Sequence, residues 1–326
     1  MSQKSGPAVA NPPAGGDGGS PGRPRPSRWL RIRRELTGYF LVAPALLFLI
    51  LLTVYPLMRT VQMSFTDFKA GEWIFVGLDH YREALDDKWF WNSVRAVVAF
   101  TVPALVLHLL LGLGFALLLN ETWFSTGLRN FMRGLLILPW VFSTPASALM
   151  WALLLHQTGP VNFVVVRILG QSAPIPFLAG SPRLAMSSLV AINTWLSYPF
   201  FMIVILGGLQ AIPPELYEAA KVDGANALKR FRHVTLPQLR TILLAVTTID
   251  FIFTFGQLDL VQLLTRGGPL RRTETITYYV YKTGMLDGNL GYGSAVSTMM
   301  LLTLLLLIVI YVKMLSRGGD SGETSF

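Results

Sequence analysis

The chain of 326 residues contains no cysteine, which excludes a disulfide framework, a thiolate metal site and a cysteine nucleophile. Its four histidines fall in separate segments without the spacing of metal ligands, so no metal is predicted. A Gly-Lys dipeptide is also absent, and a P-loop needs Gly-Lys followed by Ser or Thr. The sequence therefore predicts no cofactor in this chain and no enzyme that hydrolyses ATP.

Charged side chains are scarce, whereas long apolar runs are frequent. Only 14% of the residues are charged and 52% are hydrophobic, with a mean hydropathy of +0.50. Because a helix needs about 20 mostly apolar residues to cross a bilayer, six runs of that length predict an all-α membrane protein with six transmembrane helices. The runs are 39–57, 96–119, 134–155, 184–209, 241–264 and 294–312.

The distribution of basic residues predicts the orientation in the membrane. The net charge is +9, and basic residues mark the cytoplasmic side of a multi-spanning protein. Seven precede the first run, namely Lys4, Arg23, Arg25, Arg28, Arg31, Arg33 and Arg34. Both termini and the loop 211–240 are therefore predicted to be cytoplasmic. We expect a disordered basic tail over 1–37, a membrane domain over 38–316 and a short cytoplasmic tail over 317–326.

Two stretches on the opposite side are predicted to form short helices. Aromatic residues crowd the approach to the second run, as amphipathic rings do at a membrane interface, so 79–94 is predicted to be an interfacial helix. The residues concerned are Trp73, Trp89, Phe90 and Trp91. The segment 161–169 has Gly and Pro turn residues at its ends and predicts a second short helix.

The loop between the fourth and fifth runs contains helix-starting and helix-stopping residues. Pro214 suits a first helical turn, and Asp223-Gly224 is a stop and turn. Asn226 can then cap a second helix over 227–234, which Pro237 is expected to end. This chemistry alone fits a docking site for a partner or a helix lying on the lipid surface equally well.

The spacing within this loop resembles that of a known family. Glu218-Ala219-Ala220, Gly224 and Leu236-Pro237 resemble the EAA motif of ABC importer permeases. Tyr217 at the start of the motif and the segment 264–269 resemble the carbohydrate branch of that family, which includes the maltose and glycerol-3-phosphate permeases. The resemblance covers about residues 38–315, and its small departures, such as Val234 for isoleucine, remove no function.

This resemblance implies the fold, the partners and the role of the loop. It implies a type I ABC importer permease fold in the bacterial plasma membrane, which translocates a sugar or related polyol, possibly an oligosaccharide. The first helix of the loop would be the coupling helix that docks on an ATPase subunit. The coupling residues would be Tyr217, Glu218, Ala219, Ala220, Asp223, Gly224, Leu236 and Pro237.

The implied partners are a second permease subunit, two copies of an ABC ATPase subunit and an extracytoplasmic solute-binding protein, in addition to membrane lipid. ATP and Mg would be bound by the ATPase subunits. Nucleic acid is not expected as a partner.

Polar residues within the fourth and fifth runs suggest a substrate site. At 100° per residue, Asp250, Thr254 and Gln257 share one helical face that Phe253 borders. On the fourth run Asn193, Leu196, Ser197 and Phe200 share another face. Corresponding faces of the larger maltose permease subunit line its sugar site, so the resemblance implies that these eight residues bind substrate.

Alternative readings of these residues stay open. Small polar residues in a membrane often hold helices together, and His108 is predicted to be such a packing position. Asp259 is placed on the face opposite Asp250 by the same angular argument. The partner permease could hold the substrate site. A glycerol-3-phosphate or glycerophosphodiester importer of the same family is the alternative function, and a proton-coupled secondary transporter is a more distant one, because no internal repeat is visible.

Overall fold

The computed structural model describes residues 40, 42–69, 71–121 and 123–316, and helices dominate this part of the chain. In chain order the elements are α1 (Val42–Met63), β1 (Thr66–Lys69), β2 (Glu72–Phe75), α2 (Asp79–Asp86), α3 (Lys88–Asn120), α4 (Thr126–Val141), α5 (Thr144–Leu154), α6 (Pro160–Phe163), α7 (Pro182–Ala211), α8 (Pro214–Val222), α9 (Ala227–Phe255), α10 (Ile276–Tyr281) and α11 (Leu290–Ser316). The predicted tails over 1–37 and 317–326 lie outside the described residues and remain predictions.

Five helices, α1, α3, α7, α9 and α11, are each long and apolar enough to cross a membrane. The third predicted run, 134–155, is not one straight helix, because α4 and α5 meet at a bend of 96°. Phe142 and Ser143 are extended at this bend. Pro145 then falls in the first turn of α5, where its missing N–H leaves no helical hydrogen bond unmade. The third predicted span is therefore a broken helix.

The second and fourth predicted spans, α3 and α7, form the most extensive helix pair in the described part of the chain. A Cβ on Gly112 would lie only 2.2 Å from the Cβ of Phe201, so glycine is what allows the two backbones to approach this closely. Buried apolar side chains surround the crossing, among them Ala116, Leu119, Met202, Ile205 and Leu209.

The start of the fifth predicted span was placed wrongly, because Pro237 does not end a helix. α9 instead runs continuously from Ala227 through Pro237. A proline inside a helix cannot donate to the carbonyl four residues before it. The residues just before it, Phe231–Thr235, form a wider π-helical turn in which the N–H of Leu236 bonds to the carbonyl of Phe231. This turn accommodates the proline without interrupting the helix.

The end of the fifth predicted span was also placed wrongly. α9 ends at Phe255, residues 256–258 are not helical, and a π-helical turn follows at Val261–Thr265. Asp259 is therefore not on a continuous helix with Asp250. The angular comparison of these two carboxylates, which assumed such a helix, does not hold.

The predicted helix over 79–94 is two helices, because α2 and α3 are separated at Asp87. The Asp87 carboxylate accepts the backbone N–H of Trp89 at 2.8 Å and so caps α3. Phe90 is buried, and Trp89 is half-buried with the Arg271 guanidinium 4.0 Å from its ring centre, so these two rings pack against the protein. The short helix predicted at 161–169 is confirmed as α6 and the π-helical turn Val164–Ile168.

Asp87 also ties α3 to the C-terminal part of the chain. Its carboxylate accepts the hydroxyls of Tyr279 in α10 and Tyr292 in α11. Burial by itself raises the pKa of Asp87, but hydrogen bonds, the strongest from Tyr279, and the charge of Arg271 together lower it below its usual value. The ionised carboxylate therefore stabilises the folded state above its unfolded pKa, and this stabilisation is lost as the pH falls through the lowered folded pKa.

The close crossing of α3 and α7 predicts that Gly112→Ala destabilises the protein. The added methyl group overlaps the Cβ of Phe201, so the helices must separate, at an expected cost of about 1–3 kcal/mol in the free energy of unfolding. Thermal unfolding of the purified protein in detergent, followed by tryptophan fluorescence, measures this cost. The control is Gly114→Ala on the same helix, where a Cβ meets nothing within 4 Å. Equal unfolding midpoints for the two variants would contradict the close crossing.

Candidate functional site

A cavity of about 230 Å³ lies where the broken third span meets α7 and the end of α9. Three segments line it: the bend between α4 and α5, one face of α7, and the last turn of α9 with the residues just beyond. The lining residues are Trp140, Phe142, Thr144, Asn193, Leu196, Ser197, Phe253, Thr254 and Gln257. None of these residues is Lys or Arg. The cavity combines aromatic rings with hydroxyl and amide groups, which is typical of a site for an uncharged polar ligand.

The structure brings most of the predicted substrate residues together around this cavity. Asn193, Leu196, Ser197, Phe253, Thr254 and Gln257 all line it. Phe200 does not line the cavity, but its ring stacks on that of Trp140, with 6.0 Å between the ring centres. Gln257 lies beyond the end of α9 rather than on its face, yet the chain still brings it to the cavity. The role of these residues in binding substrate stays a prediction.

Asp250 does not line the cavity, which corrects its expected position. Its Oδ2 atom lies 2.7 Å from Nδ1 of His108, and both side chains are buried between α9 and α3. The hydroxyl of Thr254 donates to the same carboxylate oxygen at 3.4 Å. A carboxylate in a membrane interior needs such partners, because an unpaired charge there is costly. Asp250 therefore supports the wall from behind, through Thr254.

His108 was predicted to be a packing position with a satisfied imidazole, and this is correct for only one ring nitrogen. Nδ1 bonds to Asp250, but Nε2 is buried and has no hydrogen-bond partner among the described residues. The ring also packs against Phe201, with 5.9 Å between ring centres. From α3, His108 therefore contacts α9 through Asp250 and α7 through Phe201.

Asn193 presents an unusual polar atom in the cavity wall. Its side chain is 5% exposed, and its Oδ1 atom has no hydrogen-bond partner within the described part of the chain. Buried polar atoms in folded proteins are rarely left unpaired unless a ligand or a water completes them. Asn193 therefore lines the cavity and holds a buried amide oxygen that has no partner among the described residues.

The sequence reasoning missed Trp140, Phe142 and Thr144, which the bend contributes to the cavity. The signal was available in the two prolines that flank the bend, Pro139 and Pro145, with the polar pair Ser143-Thr144 just before the second one inside an otherwise apolar run. A span that breaks at membrane depth is tolerated where its irregular backbone lines a cavity.

The loop after α7 has the helices that its capping residues predict. α8 begins at Pro214, and the chain turns at Gly224, whose φ is +74°. Oδ1 of Asn226 accepts the N–H of Lys229 at 2.9 Å and caps α9. The hydroxyls of Tyr217 and Thr235 lie 3.0 Å apart and join α8 to α9.

Most of the predicted coupling residues are available to a partner. Exposed positions include Glu218, Ala219, Asp223, Gly224, Leu236 and Pro237, whereas Tyr217 and Ala220 are partly buried. Two large apolar side chains beside them face outward, Val222 with 88% and Leu228 with 73% of its surface exposed. An exposed apolar patch rimmed by charged residues is typical of a protein interface.

The family model described as "Binding-protein-dependent transport system inner membrane component" matches residues 96–318. The chain is 33% identical to the trehalose/maltose transport system permease protein MalF of Thermococcus litoralis over 286 residues, 87% of this chain and 95% of that protein. It is also 33% identical to the sulfoquinovosyl glycerol transport system permease protein SmoG of Agrobacterium fabrum over 296 residues, 90% of this chain and 94% of that protein.

Solved structures with a similar fold include a bacterial ABC transporter involved in the import of the acidic polysaccharide alginate. The similar chain has a TM-score of 0.74 at 22% identity and covers 89% of this chain and 98% of its own length. In the alginate transporter complexed with a periplasmic protein that holds an alginate pentasaccharide, the TM-score is 0.75 at 23% identity, with coverages of 89% and 97%. At this identity the likeness shows the fold alone.

The pairing of His108 with Asp250 predicts strongly coupled effects of substitution. His108→Leu or Asp250→Leu alone leaves one buried polar group without its partner, at an expected cost of about 3 kcal/mol or more in the free energy of unfolding. The double variant leaves neither group behind and is expected to be clearly more stable than the sum of the two costs implies. Unfolding in detergent of all four proteins measures this double-mutant cycle. Simple additivity would mean that the two side chains do not interact.

Proposed function

Since the chain belongs to the family of inner membrane components of binding-protein-dependent transport systems, we propose that it carries a sugar or related polyol for an importer driven by separate ATPase subunits. Family membership makes it a multi-pass permease subunit of the plasma membrane. The similar structures confirm the predicted permease fold. The cytoplasmic position of both termini remains part of the proposal.

The cavity at the broken third span is the observation that carries the sugar proposal. Sugars need hydrogen-bond partners for their hydroxyls and an aromatic surface for their CH faces. Asn193 and Gln257 supply the first, and Trp140 and Phe253 supply the second. The names of the trehalose/maltose and sulfoquinovosyl glycerol permeases support a sugar-like substrate. A phosphorylated substrate such as glycerol-3-phosphate is less well supported, because the lining contains no cation to pair with phosphate.

The coupling loop is proposed to receive the force of ATP hydrolysis. The motor would be two ATPase subunits that bind ATP and Mg, since this chain lacks a P-loop sequence. Their cleft would take the exposed side of α8 from Glu218 onward and the turn at Gly224. The remaining partners would be a second permease subunit and an extracytoplasmic solute-binding protein, consistent with the family description.

α9 offers a direct mechanical path from the loop to the cavity. It begins at Ala227, beside α8, and ends at Phe255, beside the cavity. A continuous helix moves as a unit, so displacement of α8 by the ATPase subunits would shift Phe253 and Thr254 in the cavity wall. This motion would open the cavity to opposite sides of the membrane in turn, and ATP hydrolysis would reset it.

The coupling proposal predicts that Gly224→Pro separates ATP hydrolysis from uptake. Proline cannot adopt the φ of +74° found here, so the turn between α8 and α9 must change. In proteoliposomes containing the complete transporter, uptake per ATP hydrolysed is expected to fall about tenfold or more, as when a coupling free energy is lost. The matched control is Gly170→Pro, because Gly170 has a φ of +72° and equally open surroundings after the α6 segment. Unchanged uptake per ATP in Gly224→Pro would refute the coupling role.

The cavity proposal predicts weaker use of substrate after Asn193→Leu or Gln257→Leu. Each removes a hydrogen bond to a bound sugar, which is expected to raise the half-saturating sugar concentration about ten- to a hundredfold. Sugar-stimulated ATP hydrolysis by the reconstituted complex, first screened with a panel of sugars, measures this concentration.

Thr248→Val is the control for these two variants, because the Thr248 hydroxyl donates to the carbonyl of Leu244 in its own helix at 2.7 Å and does not line the cavity. Normal half-saturation in both Asn193→Leu and Gln257→Leu would move the substrate site to the partner permease.

A further inference from the structure

The hairpin of β1 and β2 has one aromatic face and one charged face. The strands are antiparallel, with Phe68 opposite Trp73 and Thr66 opposite Phe75. Because side chains alternate along a strand, Phe68, Trp73 and Phe75 share one face of the hairpin. The rings of Phe68 and Trp73 confirm this by packing together at 5.1 Å. The other face, here called the charged face, carries Asp67 and Glu72 together with Ile74, which is 47% exposed.

The aromatic face is uncovered in the described structure. Phe75 is 75%, Phe68 53% and Trp73 45% exposed. A two-stranded hairpin is at best marginally stable by itself in water, so such a face requires a covering surface. Three large rings on one small hairpin, all exposed, form a contiguous apolar patch and not a scatter of single residues.

The base of the hairpin is attached to the ends of membrane helices. β1 begins at Thr66, three residues after α1 ends at Met63. The backbone of β1 packs closely on the first turn of α11, because a Cβ on Gly291 would lie only 2.3 Å from the carbonyl oxygen of Thr66. Nε2 of His80 in α2 lies 3.3 Å from the same oxygen.

This attachment fixes the level of the aromatic face relative to the bilayer. Phe75 pairs with Thr66, so it lies level with the first turn of α11, where a membrane-crossing helix begins. Each strand has four residues, which limits the hairpin to about 13 Å from base to tip. The rings therefore lie within reach of the headgroup region of the leaflet, where tryptophan and other aromatic side chains are favoured.

We propose that the hairpin lies on the lipid headgroup region of the leaflet at this end of the protein, with its aromatic face in the interface and its charged face toward water. All three aromatic rings lie on one face and both carboxylates lie on the other, beside Ile74, which matches a surface with lipid on one side and water on the other. The hairpin would thereby hold the adjoining ends of α1 and α11 at the bilayer surface. The occupant of the patch is lipid and not a second protein, because the patch follows directly on α1, which is long and apolar enough to cross a membrane and has no buried residue in its most apolar stretch.

The absence of cysteine makes this proposal directly testable. Phe75→Cys places a single thiol on the aromatic face and Ile74→Cys places one on the charged face, and because the two residues are adjacent in β2 they form a pair matched in depth. Each is labelled with a nitroxide in the complete transporter, with accessible thiols of the other subunits removed, and reconstituted in phosphatidylcholine nanodiscs. Electron paramagnetic resonance then compares collisions with oxygen, which partitions into lipid, and with a water-soluble nickel chelate.

The label at position 75 is expected to show an oxygen-to-nickel collision ratio several-fold higher than the label at position 74. Equal ratios with free access to nickel at both positions would place the aromatic face in water and overturn the proposal. Immobilisation at position 75 with little access to either reagent would overturn the proposal in favour of a protein occupant. If this state appears only when the solute-binding protein is added, that protein is the occupant. Phe68→Cys on the same face gives the same test if Phe75→Cys does not assemble.

Discussion

A peptide group in the hydrocarbon of a membrane must be hydrogen-bonded, and this constraint explains where the candidate substrate cavity lies. Helices satisfy it along their length, whereas a break leaves carbonyl and N–H groups that need other partners. Two of the predicted spans contain non-helical backbone, one at Phe142 and Ser143 and the other at residues 256–258, just after α9 ends. Both breaks contribute to the same cavity, through Phe142 and Gln257. Irregular backbone within a membrane protein is tolerated where it lines such a polar cavity.

The elements around the cavity divide into a fixed part and a part suited to move. α3 and α7 cross closely at Gly112 and Phe201 and share a buried core, which resists relative displacement. α9 packs beside them and carries the cavity wall at one end and the loop at the other. Its buried attachment to α3 is the His108 and Asp250 pair, a polar contact partway along an otherwise apolar surface. A link of this kind holds the register of α9 more specifically than aliphatic packing does, because a hydrogen bond has a required direction and distance.

The local chemistry of the loop could be predicted from the sequence, because its determinants act within a few residues. Pro214 begins α8, Gly224 adopts a positive φ, and Asn226 caps α9, all as their side chains dictate. Pro237 is the exception, because its local effect on the helix did not decide the structure. Its missing N–H predicts the end of a helix, but a π-helical turn and the packing of Leu239 in the core keep α9 continuous. Tertiary contacts outweighed a local preference there.

The face of α7 was predicted correctly as a group, since helical periodicity alone places Asn193, Leu196 and Ser197 together. Asp250 shows the limit of that reasoning, because periodicity gives its direction around α9 but not what it meets. His108 is 142 residues away in sequence and meets it only because α3 packs against α9.

Composition, apolar runs and local motifs predict a membrane protein of six mainly apolar segments, with a loop that resembles the EAA motif and no P-loop sequence in the chain. The packing of the chain was needed to show that the third segment bends by 96°, that the helix of the fifth ends at Phe255, and that both places line one cavity. The two kinds of effect act over different distances along the chain. Hydropathy, capping and proline effects act over a few residues along the chain, whereas the cost of an unpaired polar group in the membrane is settled by partners that only packing brings near.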